Sequence, residues 1–452
     1  MKAQIASLFV FIGIVLFTTT ATAQHLGEPL PAISASAPDL ANFQAGQQQF
    51  LQVQTLQAPE VLGPLFNGNA CAACHDHPAM GGGGLSKDRE IRVRNRGDGA
   101  PPVQIFAVDN MLRLGPQTQS GAPIDAFGVT SAPLGCPITS PGCSLSNCQK
   151  QLMEHSSYSS KLPICDTSTK DYAEGDNCIG ERVSLPMFGD GLVEATDDAT
   201  LQSIAADQPA AIRGTVRLVT ELGVTHVARF GWKDQHATLL GFAEDAYLNE
   251  MGITNPGNPV ANTTCAMGVT LYGITLQGAT DPEDQPVNGR ADVDRFVDFI
   301  RALQPPPRLP EDASAQAGET LFASIGCIGC HVSSIRTSPD PMLPATTGAV
   351  PVAGVVRQAL RNVTFHPFGD FLLHDMGALG DGISDGAATP TTMRTMPLWG
   401  LHLRSAFLHD QRAMDLPTAI SLHAGQAAAA AAAFSALSQT EQQEVLDFLE
   451  TL

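Results

Sequence analysis

Two pentapeptides of the form Cys-x-x-Cys-His stand in this chain, one in each half: Cys71-Ala-Ala-Cys74-His75 and Cys327-Ile-Gly-Cys330-His331. Two thiols at this spacing can bond both vinyl groups of one haem, and the adjacent histidine can ligate its iron. Given 10 Cys and 12 His in 452 residues, chance would supply roughly 0.006 such pentapeptides. A zinc site would need partner ligands of its own at each motif. A bare redox Cys-x-x-Cys leaves unexplained a histidine in the same place twice. The motifs therefore predict two covalently attached haem c groups.

The elements that must carry them read as helices. Ala315 to Ser324 holds Ala317, Leu321 and Phe322 at helical spacing just before the second motif, and Phe43 to Val53 plays the same part before the first. Val293, Phe296, Val297 and Ile300 form one apolar helical face; Val445, Leu446, Leu449 and Leu452 form another. Ser438-x-x-Glu441 has the pattern of a capping box. Pro305-Pro306-Pro307-Arg308-Leu309-Pro310 reads as a stiff extended linker. A weak internal repeat pairs Arg182-Val-Ser-Leu-Pro186-Met-Phe-Gly189 with Arg394-Thr-Met-Pro397-Leu-Trp-Gly400. It also pairs Phe230-Gly-Trp232 with Phe407-Leu-His409. The expected fold is mainly α with much irregular loop, in two cytochrome c-like haem domains at 24–304 and 311–452 joined by the linker at 305–310. The first is enlarged by an insertion at about 113–185.

Met1-Lys2, an apolar stretch from Ile5 to Phe17 and Ala21-Thr22-Ala23 predict a signal peptide over 1–23, cleaved near Ala23. Its apolar core is well short of the roughly 20 residues of a spanning helix. No later stretch is long and apolar enough to span, so the mature chain is expected to be periplasmic or secreted. Six cysteines remain outside the motifs: Cys136, Cys143, Cys148, Cys165, Cys178 and Cys265. In an oxidising compartment they predict up to three disulfides stapling the insertion, in a pairing left open. The formal net charge of −20 argues against nucleic acid and anionic membranes and suits a basic electron-transfer partner.

Several phrases resemble the dihaem oxidoreductase family, itself related to bacterial dihaem cytochrome c peroxidases and MauG-type enzymes. They are Asn67-Gly-Asn-Ala-Cys-Ala-Ala-Cys-His75 with Gly81 to Gly84, Arg229-Phe-Gly-Trp-Lys233, Asn249-Glu-Met-Gly-Ile-Thr254, Leu372-Leu-His-Asp-Met-Gly377, Pro397-Leu-Trp-Gly400, Phe407-Leu-His-Asp410 and Ala419-Ile-Ser-Leu-His423. The resemblance implies peroxidase-like chemistry on H2O2 or O2, with a small redox protein as electron partner. It implies Trp232 as the residue between the haems and Glu250 as the distal acid–base. One carboxylate can shift a proton from the inner to the outer peroxide oxygen, which heterolysis needs. Glu194, in Gly189-Asp-Gly-Leu-Val-Glu194, is the alternative carboxylate, and a solvated helix position is the bland reading of both.

By the same resemblance His423 occupies the place of a sixth ligand to the second haem, opposite His331, with His374 and Met376 as competitors. No sixth ligand of the first haem is assigned; Met80, Met111 and His155 are the residues available. The first haem is thus expected to be the open one. Relatives also hold a structural Ca2+, for which the sequence offers no ligand spacing. A non-catalytic electron-transfer cytochrome and a haem-dependent oxygenase are the competing functions, and a thiol oxidoreductase is a further one.

Overall fold

The structure, a computed structural model, describes residues 26–54, 68–85, 180–259, 289–344 and 352–452. Thr167, Asp284 and the backbone of short strands at 89–94, 103–105, 178–179, 270–271 and 274–275 complete it. The signal peptide expected at 1–23 lies outside the described residues. So do the side chains of the six non-motif cysteines and the insertion, apart from Thr167 and 178–185. Helices dominate, with a few short strands, as expected. The longest sheet is antiparallel, with Arg89–Arg94 between Val103–Ile105 and Cys178–Val183. No helix among the described residues is long and apolar enough to cross a membrane.

Two helix pairs follow the apolar spacing of the sequence and are built alike. Ala37–Leu51 packs on Asp292–Ala302, and Ala313–Ser324 packs on Gln439–Leu449. A glycine sits at each crossing. A Cβ on Gly46 would stand 2.4 Å from the Arg295 carbonyl oxygen, and one on Gly318 would stand 1.8 Å from that of Glu444. Neither position has room for a side chain. One turn further on, Phe50 and Phe322 reach the motif histidines, with ring centroids 6.2 Å from His75 and 6.1 Å from His331. Across each crossing lies another phenylalanine: Phe299 at 5.1 Å from Phe50 and Phe448 at 5.2 Å from Phe322. The last helix starts with the expected capping box. The Ser438 hydroxyl accepts the Glu441 N–H at 3.3 Å, and the Glu441 carboxylate accepts the Ser438 N–H at 2.8 Å.

The internal repeat is realised as two matching loops. Antiparallel bridges close them at Phe230–His236 and Phe407–Ala413. Positive φ occurs at the second position of each, Gly231 (83°) and Leu408 (76°), and at the fifth, Asp234 (53°) and Gln411 (58°). The loops meet: the Trp232 and His409 rings are edge-on at 6.2 Å. Each loop is also tied to the other half's repeat segment, Val183 N–H donating to His409 O at 2.7 Å and Arg394 N–H to Trp232 O at 2.9 Å.

The larger core gathers Phe43, Phe50, Phe296 and Phe299 but also Ile335, Phe365, Phe371 and Trp399. A smaller core is built from Phe322, Phe368, Phe434, Phe448 and Leu449. Apolar packing therefore runs across the linker. The segment 305–310 is extended, with Pro305 beside Gly189, Pro306 beside Gly400 and Leu309 N–H donating to Thr451 O at 2.7 Å. Charges also cross. Asp381 accepts from Arg182 Nε at 2.7 Å and pairs with Lys233 Nζ at 2.8 Å, all three being buried. Burial works against the Asp381 carboxylate, but Arg182 and Lys233 outweigh it and hold it at about 2.

Candidate functional site

Each Cys-x-x-Cys-His motif forms a 3-10 turn, Cys71–Ala73 and Cys327–Gly329, beside a cavity. The first cavity, of about 160 Å³, is walled by Cys71, Cys74 and His75; the second, of about 460 Å³, by Cys327, Cys330 and His331. Burial pushes the Cys71 thiol up to about 12 and the Cys327 thiol up to about 11.

Both motif histidines are fixed through the same nitrogen. His75 Nδ1–H donates to Leu185 O at 2.9 Å and is 3.2 Å from Gly82 O. His331 Nδ1–H donates to Phe368 O at 2.9 Å. Carbonyl acceptors select the tautomer that leaves Nε2 for a metal. The Ser184 hydroxyl donates to Cys74 O at 2.7 Å and ties down the first turn.

His423 lies across from His331, with ring centroids 6.4 Å apart, and its Nδ1–H donates to Ala419 O at 2.8 Å. Two opposed imidazoles sharing one metal at bonds of about 2 Å have centroids roughly 6 Å apart. Burial and the neighbouring His423 push His331 down to about 4, and burial lowers His423 as well. Both rings are therefore neutral, as ligands must be. The competitor His374 lines the same cavity, but both its ring nitrogens are engaged. Its Nε2 is bonded to Asp370 Oδ2 at 2.9 Å and its Nδ1 lies 3.7 Å from Cys330 Sγ. Burial lowers His374, but bonds to Asp370 and Cys330 win and raise it to about 10. Met376 lines the second cavity.

Trp232 lines both cavities, as do Val183, Ser184 and Leu185, so these residues form their shared wall. The Trp232 indole N–H donates to Val183 O at 2.8 Å, which fixes the ring in that wall. Glu250, half-buried near the end of the helix Leu239–Met251, lines the first cavity only. The alternative carboxylate, Glu194, lines neither. It receives Arg301 Nε at 2.6 Å, Arg301 Nη2 at 3.0 Å and Leu239 N–H at 2.9 Å, a buried ion pair between helices. Met80 packs beside Gly27 and lines neither cavity, and Met111 and His155 lie outside the described residues.

Two groups in the second wall were not singled out from the sequence. Arg404, pushed down to about 10 by burial, is paired with no carboxylate of the described residues. The buried indole N–H of Trp399 has no hydrogen-bond partner among the described residues. A haem, which carries two propionates, would answer both. With two motif cysteines and a motif histidine in the wall of each cavity, these residues fit a haem at each motif. Among the described residues, one group of three ligand atoms within 4.8 Å of one another occurs, at Cys330, Asp370 and His374. It belongs to the haem motif and leaves the expected Ca2+ without an assigned site.

Residues 155–452 match the family described as "Di-haem oxidoreductase, putative peroxidase", a stretch that holds the second motif but not the first. No curated protein matches the sequence. Among solved structures, a hydrazine synthase of Kuenenia stuttgartiensis is similar at 17% identity and a TM-score of 0.22, covering 36% of this chain. The chain spans 55% of the length of that protein.

Proposed function

Since this chain belongs to the di-haem oxidoreductase family, we propose that it is a peroxidase-type enzyme of that family, with H2O2 as substrate and a small redox protein as electron donor. When bound, the two haem c groups supply the redox chemistry that reduces the O–O bond. Everything else falls to the chain. Cys71, Cys74, Cys327 and Cys330 hold the groups covalently, and His75 and His331 offer Nε2 to iron from tautomers fixed by Leu185 and Phe368. His423, with its ring 6.4 Å from that of His331, would also hold the second group, which would keep substrate out of that site.

Glu250 moves the proton between peroxide oxygens in the first cavity. Trp232 stands in the wall between the two sites and is the residue through which they communicate. The observation that carries this reading is the unequal pair of walls. Glu250 lines only the first cavity, the opposed imidazoles belong to the second, and Trp232 is in both. Two cytochrome c-like domains are supported by the matching helix pairs, and a periplasmic or secreted setting by the N-terminal apolar stretch.

EPR of the oxidised protein before and after H2O2 tests the proposal. High-spin and low-spin ferric signals are expected together, with only the high-spin one consumed. Two low-spin signals that ignore peroxide and cyanide would make the protein an electron-transfer cytochrome instead.

A further inference from the structure

The first cavity holds a basic side chain that the proposed reaction leaves unused. His236 lines the cavity, and its Nδ1–H donates to Glu221 Oε1 at 2.9 Å. Glu221 is saturated with donors. Oε1 also accepts the Ala237 N–H at 3.1 Å, while Oε2 accepts the Thr238 N–H at 3.0 Å and the Thr238 hydroxyl at 2.7 Å. That hydroxyl in turn caps the helix Leu239–Met251 by accepting the Gly241 N–H at 2.9 Å. A carboxylate with four donors at a helix N-terminus is a fixed anion. Burial opposes its charge, but the bonds from His236, Thr238 and Ala237 win and lower it.

The other ring nitrogen faces a carboxylate that reaches solvent. His236 Nε2 lies 3.4 Å from Asp245 Oδ2, and the Asp245 side chain is 44% exposed while also lining the cavity. One nitrogen pinned by a rigid anion and the other shared with a solvent-facing carboxylate is the arrangement of an oriented acid–base group.

We propose that His236 is a second acid–base residue of the first cavity, a proton donor oriented by Glu221 and recharged from solvent through Asp245. The proposal rests on the peroxide reading of that cavity. Reducing H2O2 to two waters consumes two electrons, here from the one-electron donor protein, and two protons. As the O–O bond breaks, His236 Nε2–H gives up the first proton and an O–H bond of water forms; recharged once, it gives the second, the two electrons coming from two successive encounters with the donor protein. Asp245 then returns a proton from solvent, and Glu250 handles the shift between the oxygens. The charged or titratable groups around His236 are Glu221 on its hairpin, Glu244 and Asp245 on the helix, and Arg182, Tyr247 and Glu250 elsewhere on the wall or the same helix. Burial lowers His236, but its bonds to Asp245 and Glu221 prevail and raise it to about 9, so it carries its proton at neutral pH.

Fluoride affinity of the full-length holoprotein, followed optically from about pH 6 to about pH 10, tests this without reference to turnover. The wild type should bind fluoride steadily and then lose affinity as pH rises through about 9. His236→Gln should bind about tenfold more weakly at neutral pH and lack that loss. Glu221→Gln and Asp245→Asn should each move the loss to lower pH. They decide the matter if His236→Gln does not fold, as judged by the low-spin signal of the second haem. A His236→Gln protein with wild-type affinity and the same inflection overturns the proposal alone, as do unmoved inflections in the other two variants. A wild type that binds no fluoride at any pH overturns it together with the peroxide reading.

Discussion

The first cavity has two carboxylates in its wall, Asp245 and Glu250. Among the described residues, the wall of the second has none, and sets His423 across from His331 instead. The scaffolds beneath them are nevertheless close copies. Each has a glycine crossing, a phenylalanine one turn later and a motif histidine turned by a carbonyl. The shared scaffold accounts for holding a haem; segments outside it decide what can happen there. In the first half that segment is the loop and helix from Phe230 to Met251, and in the second it is the short helix Leu416–Ser421 that delivers His423. On the proposed function, the acid–base groups and the closing ligand stand on opposite sides of one tryptophan.

The difference can be broken most severely at Glu250. Glu250→Gln should lower peroxide turnover by about 10²–10⁴-fold while the low-spin EPR signal of the second haem stays as it was. A variant that turns over normally removes the acid–base role. His423→Ala should make the cavities more alike, replacing the low-spin signal by a second high-spin one and admitting cyanide at both centres. An unchanged spectrum would assign the ligand to another residue.

The likeness of the scaffolds has its own test. Gly46→Ala and Gly318→Ala should each cost about 1–3 kcal/mol in denaturant unfolding. Gly318→Ala should cost more, since its methyl meets a carbonyl at 1.8 Å rather than 2.4 Å. An effect of similar size concerns the tie between the halves. Asp381 is held at about 2 in the fold, below the ordinary 3.8. Its ionised form therefore contributes stability above about pH 4 that is lost as pH falls towards 2, about 2 kcal/mol in all. Acid unfolding of the wild type should show that loss, and Asp381→Asn should not.

What the sequence made legible was local. The motifs, the four long amphipathic helices and the Ser438 capping box all depend on residues a few positions apart, and each is present. Trp232 and Glu250 came from the family resemblance, which carries them on one loop and one helix in fixed order; both line the first cavity. Glu194 stood equally close to a motif-like turn, yet its partner Arg301 comes from a helix far along the chain, and no spacing announces such a pair. The same holds for His236. Its neighbours in sequence say nothing of Glu221, which reaches it only because a hairpin folds back. Pairing Trp232 with His409 in the repeat came close to the contact between them, but equivalence in a repeat does not imply touching. Arg404 and Trp399 become informative only when a cavity and a missing partner are seen together.

The ion pairs that cross from one half to the other limit how this protein can be taken apart. Arg182 and Lys233 precede the proline segment and Asp381 follows it. A gene cut at Pro305 would give one fragment with two stranded cations and another with a stranded anion, each beside newly bared phenylalanines. Such fragments should recover only when produced together. For anyone wishing to borrow a single haem module from this chain, the unit to move is the whole pair.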